Sequence, residues 1–191
     1  MFEYLGVLIS VILGLALTHL LRGLAKVIHL RRTAKPYWVH IVWTFNTLLY
    51  VLALWWGMSS WNALRSWTIE WYLFIAGYAS VMFMLASMLY PPDFAEDLDC
   101  EAYFFANKSW FFGLLVLALV IDIPETLGKG VAHLRDVPNH YLIFLSAMLL
   151  CAVLGLVSHN RRLHAAVCVL FMLTLAGYLT LTSLDRAAAH W

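Results

Sequence analysis

Five residues of the first apolar segment have the types and the spacing to place polar groups along one side of a helix. Glu3, Ser10, Gly14, Thr18 and Arg22 follow one another at steps of seven and then four residues. These steps are close to whole turns of a helix and predict one slowly drifting stripe, with a charge at each end and hydroxyl groups between. Within a bundle we expect such a stripe to face inward, where it could line a path for a small solute or ion.

A purely structural interpretation of the same stripe stays open. Small residues such as Ser10 and Gly14 allow two membrane helices to approach closely. Glu3 and Arg22 would then only mark the two boundaries of the apolar layer.

Two histidines form a second candidate site. His19 and His159 each stand at the end of an apolar segment, at a similar predicted depth, and could face one another. Such a pair could relay protons or ligate a haem or a transition metal. Since no H-x-x-x-H spacing lies inside a segment, and the third and fourth segments contain no histidine, we predict no cofactor and keep haem as an alternative.

Asn46 is the most polar residue of the second segment. A buried amide needs a hydrogen-bond partner, and in a membrane bundle that partner commonly lies on another helix. Asn46 is therefore predicted to join two helices, and it is a weaker candidate for contact with a solute.

Charged residues in three connectors form the last group. An acidic connector follows the third segment, and arginines flank the first and the sixth. We expect these charges to pair and tie the loops together; the spacing of the carboxylates does not fit an EF-hand loop, although a divalent cation site of oxygen ligands is the alternative. The residues concerned are Arg31, Arg32, Asp93, Glu96, Asp97, Asp99, Glu101, Arg161 and Arg162.

The elements that must position these residues are six long apolar runs. Each run has about the 20 residues that a helix needs to cross the ~30 Å apolar core of a bilayer. With 63% hydrophobic residues and 12% charged residues, the sequence predicts one all-α membrane domain over residues 1–191, a bundle of six transmembrane helices. The predicted spans cover approximately residues 4–25, 37–58, 71–90, 102–121, 141–158 and 163–184.

The fourth span has the least certain limits. Only residues 109–121 are free of charge, so the span must be extended at one end. We favour a start near Ala102, with Lys108 reaching to the boundary. Asp122, Pro124 and Glu125 then resemble the start of a separate short helix on the surface, and a span kinked near Pro124 is the alternative.

The distribution of lysine and arginine predicts the orientation. Eight of the twelve basic residues lie on the side of the connectors after spans 1, 3 and 5. Because short basic loops stay in the cytoplasm, both termini are expected on the outer side. The compact chain begins without the basic start and cleavage site of a signal peptide, which favours the cytoplasmic (inner) membrane of a bacterium.

The sequence also limits the function classes. It contains no H-E-x-x-H, G-x-S-x-G or phosphate-binding loop, so nothing indicates an enzyme, and no dense basic run indicates nucleic-acid binding. The expected partners are the lipid bilayer and, in addition, a second copy of the chain or a membrane partner protein.

Three functions are compatible with these features. Passage of a small solute or ion along the stripe of the first helix is the leading hypothesis. The second is a non-transporting subunit or sensor that docks a partner protein or anionic lipid through its cytoplasmic loops. The third is a haem-binding electron carrier.

Overall fold

The computed structural model describes residues 2–63, 67–130, 137 and 140–188. These residues form six α-helices and one 3-10 helix, which runs over Met58–Ala63. The α-helices are α1 (Phe2–His29), α2 (Trp38–Gly57), α3 (Ile69–Ser87), α4 (Cys100–Gly128), α5 (Tyr141–Val157) and α6 (Arg161–Ala188).

Five of these helices are long and apolar enough to cross a membrane, so the chain is a polytopic membrane protein. The exception is α5, an apolar helix of 17 residues. At 1.5 Å per residue it is about 26 Å long, at the short limit of spanning helices. The prediction of a helical membrane bundle is confirmed for the described residues, with five of the six predicted spans long enough to cross a bilayer.

The fourth helix differs from the sequence prediction. It continues without a break from Cys100 through Pro124 to Gly128, instead of ending before a separate surface helix. Pro124 only removes one backbone hydrogen bond of α4, which the surrounding packing tolerates. The prediction of a helix start at Asp122 is therefore wrong. Of the surface segment expected over residues 124–134, residues 124–128 belong to α4 and residues 131–134 lie outside the described residues.

The helices pack in a ring that does not follow their order in the chain. Going round, the neighbours are α1, α3, α4, α5, α6 and α2, and α2 closes the ring on α1. Helix α2 also touches α3 and α4 across the ring. The central position of α2 agrees with its burial: 44% of the residues in its most apolar stretch are buried, against 28% in α1.

Aromatic residues fill the centre between α2, α4 and α6. The Trp43 ring meets Phe111, Phe112 and Phe171 with ring centroids 5.1–5.3 Å apart. Close contacts between aromatic rings, two of them edge-to-face here, add to the packing energy that holds membrane helices together. A Cβ added at Gly155 would collide with the Phe112 ring, so the glycine allows α5 to approach α4 closely.

Candidate functional site

The polar stripe of α1 lies on the outside of the bundle. Ser10 and Thr18 are exposed in the single chain, and their hydroxyls donate to the carbonyl oxygens of Gly6 and Gly14, each over 2.7 Å. Because each hydroxyl is satisfied by its own helix, it can face apolar surroundings at little cost. The expectation that this stripe faces inward is wrong for the single chain.

The physical reason is the bulk of the opposite side of α1. Membrane helices associate through close van der Waals packing, and the large apolar side chains of α1 fill an interface better than hydroxyls and glycines do. The buried side carries Leu5, Ile9, Leu13, Ala16 and Leu20.

The two charged ends of the stripe are less informative. Arg22 is exposed, and the side chain of Glu3 lies outside the described part of the chain.

His19 and His159 have different surroundings. His19 is partly buried, and its Nε2 lies 3.1 Å from the carbonyl oxygen of Tyr90. His159 is exposed between α5 and α6, beside a shallow groove that Glu101 and Arg161 also line. Among the described residues, no group of three or more histidine, cysteine or acidic side chains could hold a metal ion.

Other basic side chains bind the carboxyl ends of α3 and α5. The Nε2 atom of His40 lies 2.5 Å from the Leu89 carbonyl oxygen, and that of His164 lies 3.1 Å from the Ser158 carbonyl oxygen. Since a carbonyl only accepts, Nε2 carries the proton in both rings. These contacts satisfy carbonyl groups of the backbone directly after α3 and α5, where the chain leaves the helix.

Lys108 takes part in the same arrangement. Its side chain is buried, and Nζ donates to the Leu156 carbonyl oxygen over 2.9 Å. The Lys108 side chain, which was expected to reach the membrane boundary, therefore runs inside the bundle to the carboxyl end of α5.

Asn46 joins α2 to α6, as its sequence context predicts. Its amide nitrogen donates to the carbonyl oxygen of Cys168 over 2.9 Å, and the residue is 1% exposed. Nothing in this contact requires a solute.

The connectors at one end of the bundle are tied together. The backbone of Lys35 pairs with Leu98 and Cys100, and Arg161 forms an ion pair with Glu101 at 2.7 Å. Asp99 caps α4 by accepting from the backbone N–H groups of Glu101 and Ala102.

The capping role of Asp99 changes its ionisation. The Ala102 N–H, and then the charge of Lys35, hold the pKa of the Asp99 carboxyl below its ordinary value. The other charged connector residues of the sequence prediction are exposed: Arg31, Arg32, Asp93, Glu96, Asp97 and Arg162.

A polar row that the sequence prediction missed lies on the buried side of α2. His40, Thr44, Thr47 and Tyr50 follow at steps of four, three and three residues, and they are only 1%, 1%, 3% and 7% exposed. The hydroxyl of Thr44 lies 2.8 Å from that of Tyr90.

The other end of the α2 row meets an acidic residue of α4. The hydroxyls of Tyr50 and Tyr78 lie 3.1 Å apart, and Tyr78 is close enough to Asp122 for the two groups to interact electrostatically. On its other side, Asp122 accepts from the Tyr141 hydroxyl over 2.6 Å, and Thr126 lies 3.2 Å from the same hydroxyl. The carboxylate of Asp122 is thus bound by a side chain of α5 and interacts electrostatically with Tyr78 of α3, whose hydroxyl meets Tyr50 of α2.

A second acidic residue lies one turn further along α4. Glu125 accepts from the indole N–H of Trp61 over 2.7 Å and pairs with Lys129 at 2.8 Å. The side chains of Lys129 and Glu125 are 7% and 3% exposed, so water has almost no access to this ion pair. A dry ion pair contributes little net stability, because the loss of hydration offsets most of the attraction.

The α2 row, Tyr78 and Asp122 together form a series of buried side chains that can both donate and accept protons, with the Asp122 carboxylate at one end. A sequence signal for it existed: Asp122 and Glu125 are three residues apart and share one helix face. It was missed because the fourth span was expected to end before them.

Comparison with known proteins gives no identification, since no family model, no curated protein and no solved structure matches this chain.

Proposed function

We propose that this polytopic membrane protein moves protons across the bilayer along the buried row of α2 and through Asp122. The observation that carries the proposal is the meeting of the Tyr50 and Tyr78 hydroxyls at the end of the α2 row, where Tyr78 interacts electrostatically with Asp122. Ionisable groups inside membrane spans are costly and mark ion or proton paths by default. The proposal keeps the passage of a small ion that the sequence favours but moves the path from α1 to α2.

A proton fits this row better than a larger solute. Hydroxyl and imidazole groups accept a proton on one side and release one on the other, so they need no open channel. From His40 to Tyr50 the row is about 15 Å long, half the apolar core of a bilayer. Its members stand one turn apart, about 5–6 Å, so internal water must bridge the steps.

The orientation belongs to the same proposal. With the basic connectors in the cytoplasm of a bacterium, His40 and Tyr90 lie toward the inner side and Asp122 toward the outer side. Protons would enter from outside at Asp122.

The test is proton flux into proteoliposomes that contain a pH-sensitive dye, driven by a potassium gradient and valinomycin. Asp122→Asn keeps the shape but removes the titrating group, and we expect it to lower the flux at least about tenfold, as the loss of one hydrogen bond to a charged group would. Asp122→Glu should retain part of the flux.

The matched control is the double variant Ser10→Ala/Thr18→Ala on the outer face of α1, which should keep the native flux. A folded Asp122→Asn protein with unchanged flux, or native protein no more active than empty vesicles, would overturn the proposal. Loss of flux in the α1 control would favour a path along the stripe of α1 instead.

One observation favours a second function, that of a subunit that docks a partner through its loops. The pairing of Lys35 with the backbone around Asp99 and the Arg161–Glu101 ion pair hold three connectors in one charged surface. Purification from native membranes, with and without Arg31→Glu/Arg32→Glu, tests this function. It requires a stoichiometric partner that the charge reversal releases.

A further inference from the structure

Three buried polar atoms in the interface of α2 with α6 have no hydrogen-bond partner among the described residues. They are the indole nitrogen Nε1 of Trp43, the amide oxygen Oδ1 of Asn46 and the ring nitrogen Nδ1 of His164. The three residues are at most 1% exposed. An unpaired polar atom in such a place costs about 1–3 kcal/mol, so three in one interface need a physical explanation.

The three side chains belong to one layer of the bundle. Trp43 and Asn46 are one turn apart on α2, and Asn46 reaches Cys168, which is one turn from His164 on α6. The Phe112 ring touches both Trp43 and His164, at centroid distances of 5.1 and 5.4 Å. This level of the bundle therefore contains three polar atoms, and the Phe112 ring packs against two of the side chains that carry them.

The hydrogen-bonding roles of the three atoms are fixed by their chemistry. An indole nitrogen only donates, and an amide oxygen only accepts. Because the Nε2 of His164 donates to the Ser158 carbonyl, the Nδ1 of the neutral ring accepts. The layer thus presents one donor and two acceptors.

A water molecule has the complementary set of groups. It accepts through its oxygen and donates two hydrogens, and buried waters typically make about three hydrogen bonds to groups that would otherwise stay unpaired. We propose that an internal water site lies between α2 and α6, where the water accepts from Trp43 and donates to Asn46 and His164. The site needs no proton movement and is independent of the proposed function.

The experiment uses the native protein in lipid nanodiscs. Ultraviolet resonance Raman spectra report whether an indole N–H is hydrogen-bonded, and the difference between native protein and Trp43→Phe isolates Trp43 from the other tryptophans. We expect a hydrogen-bonded indole. A band at the position of a free indole N–H overturns the proposal.

A second measurement distinguishes water from a protein partner and needs no variant. After mixing with water enriched in oxygen-18, an X-ray pulse generates hydroxyl radicals from ordered water in place, and mass spectrometry locates the label. Trp43 should carry oxygen-18, whereas Phe111 and Phe171, which pack on its ring, should stay unlabelled. A hydrogen-bonded indole without label at Trp43 means a protein partner and overturns the proposal.

Discussion

Helices α1 and α2 both carry a row of polar residues at helical spacing, but the two rows point in opposite directions. In α1 the row faces out of the bundle; its hydroxyls donate to their own backbone, and Ser10 also accepts from the Trp55 indole of α2 over 3.2 Å. In α2 the row faces in; Thr44 and Thr47 also donate to their own backbone, but the hydroxyls of Thr44 and Tyr50 in addition lie against the hydroxyls of Tyr90 and Tyr78. Helical spacing therefore predicts that polar residues share a face, but it does not predict where that face points.

The two rows point in different directions because the residues on the opposite side of each helix, and the number of neighbouring helices, differ. Helix α1 offers leucines and an isoleucine for packing and has only α2 and α3 as main neighbours. Helix α2 touches four other helices, and its outward residues are large and apolar, among them Phe45, Trp55 and Trp56. A helix with neighbours around most of its circumference has room for polar contacts that a peripheral helix lacks.

The largest expected effect separates the two rows by function. Tyr50→Phe removes only the hydroxyl that links Tyr78 to the α2 row. We expect proton flux in proteoliposomes to fall at least about tenfold. Ser10→Ala on α1 should leave the flux unchanged, and equal fluxes in the two variants would remove the functional distinction between the rows.

A second pair of variants tests the two faces of α1 through stability. A Cβ at Gly23 would collide with the Tyr90 ring, whereas nothing lies within 4 Å of one at Gly14. Gly23→Ala should destabilise the fold by about 1–3 kcal/mol through overpacking. Gly14→Ala should be neutral or stabilise by up to about 1 kcal/mol, because alanine favours the helix.

Melting temperatures in detergent measure both effects. If Gly14→Ala destabilises the protein as much as Gly23→Ala, the outer face of α1 is packed against something, and its exposure in the single chain does not hold in the membrane.

A smaller difference is expected between polar residues that do and do not join helices. Asn46→Ala removes the bond to the Cys168 carbonyl and should cost about 1 kcal/mol. Thr18→Ala removes only a bond within α1 and should cost close to nothing. Chemical denaturation of both variants checks the contrast, which fails if Thr18→Ala is the more harmful change.

The smallest expected effect concerns Asp99, the residue in the connector before α4 that caps this helix. The pKa of Asp99 is lowered in the folded state, so its carboxylate stabilises the fold at neutral pH. That stabilisation is lost as the pH falls below about 4, through the lowered pKa. The melting temperature of Asp99→Ala should therefore be slightly below that of the native protein at pH 7. At low pH the two melting temperatures should be equal.

Asp99→Asn is the control for this last prediction, because asparagine caps a helix without titrating in this range. Its melting temperature should change less with pH than that of the native protein. A native-like pH dependence in Asp99→Asn would assign the effect to another group.

Particular residues show how far the sequence prediction reached. Asn46 was expected to join two helices and does so. Ser10 and Thr18 were expected inside and lie outside, because their spacing is the same for either direction. Asp122 and Glu125 were assigned to a surface helix, because Pro124 between them is a strong signal for a helix end and tertiary packing overrides it.

Length and hydropathy by themselves determined that this chain is a helical membrane protein, since any spanning segment must bond its own backbone and a run of about 20 apolar residues leaves a helix as the only solution. The ring order of the helices, the burial of the α2 row and the contacts of Tyr50 with Tyr78 and of Asp122 with Tyr141 were decided by the tertiary structure. Packing in a bilayer depends on which bulky faces fit together, and that fit involves residues far apart in the chain.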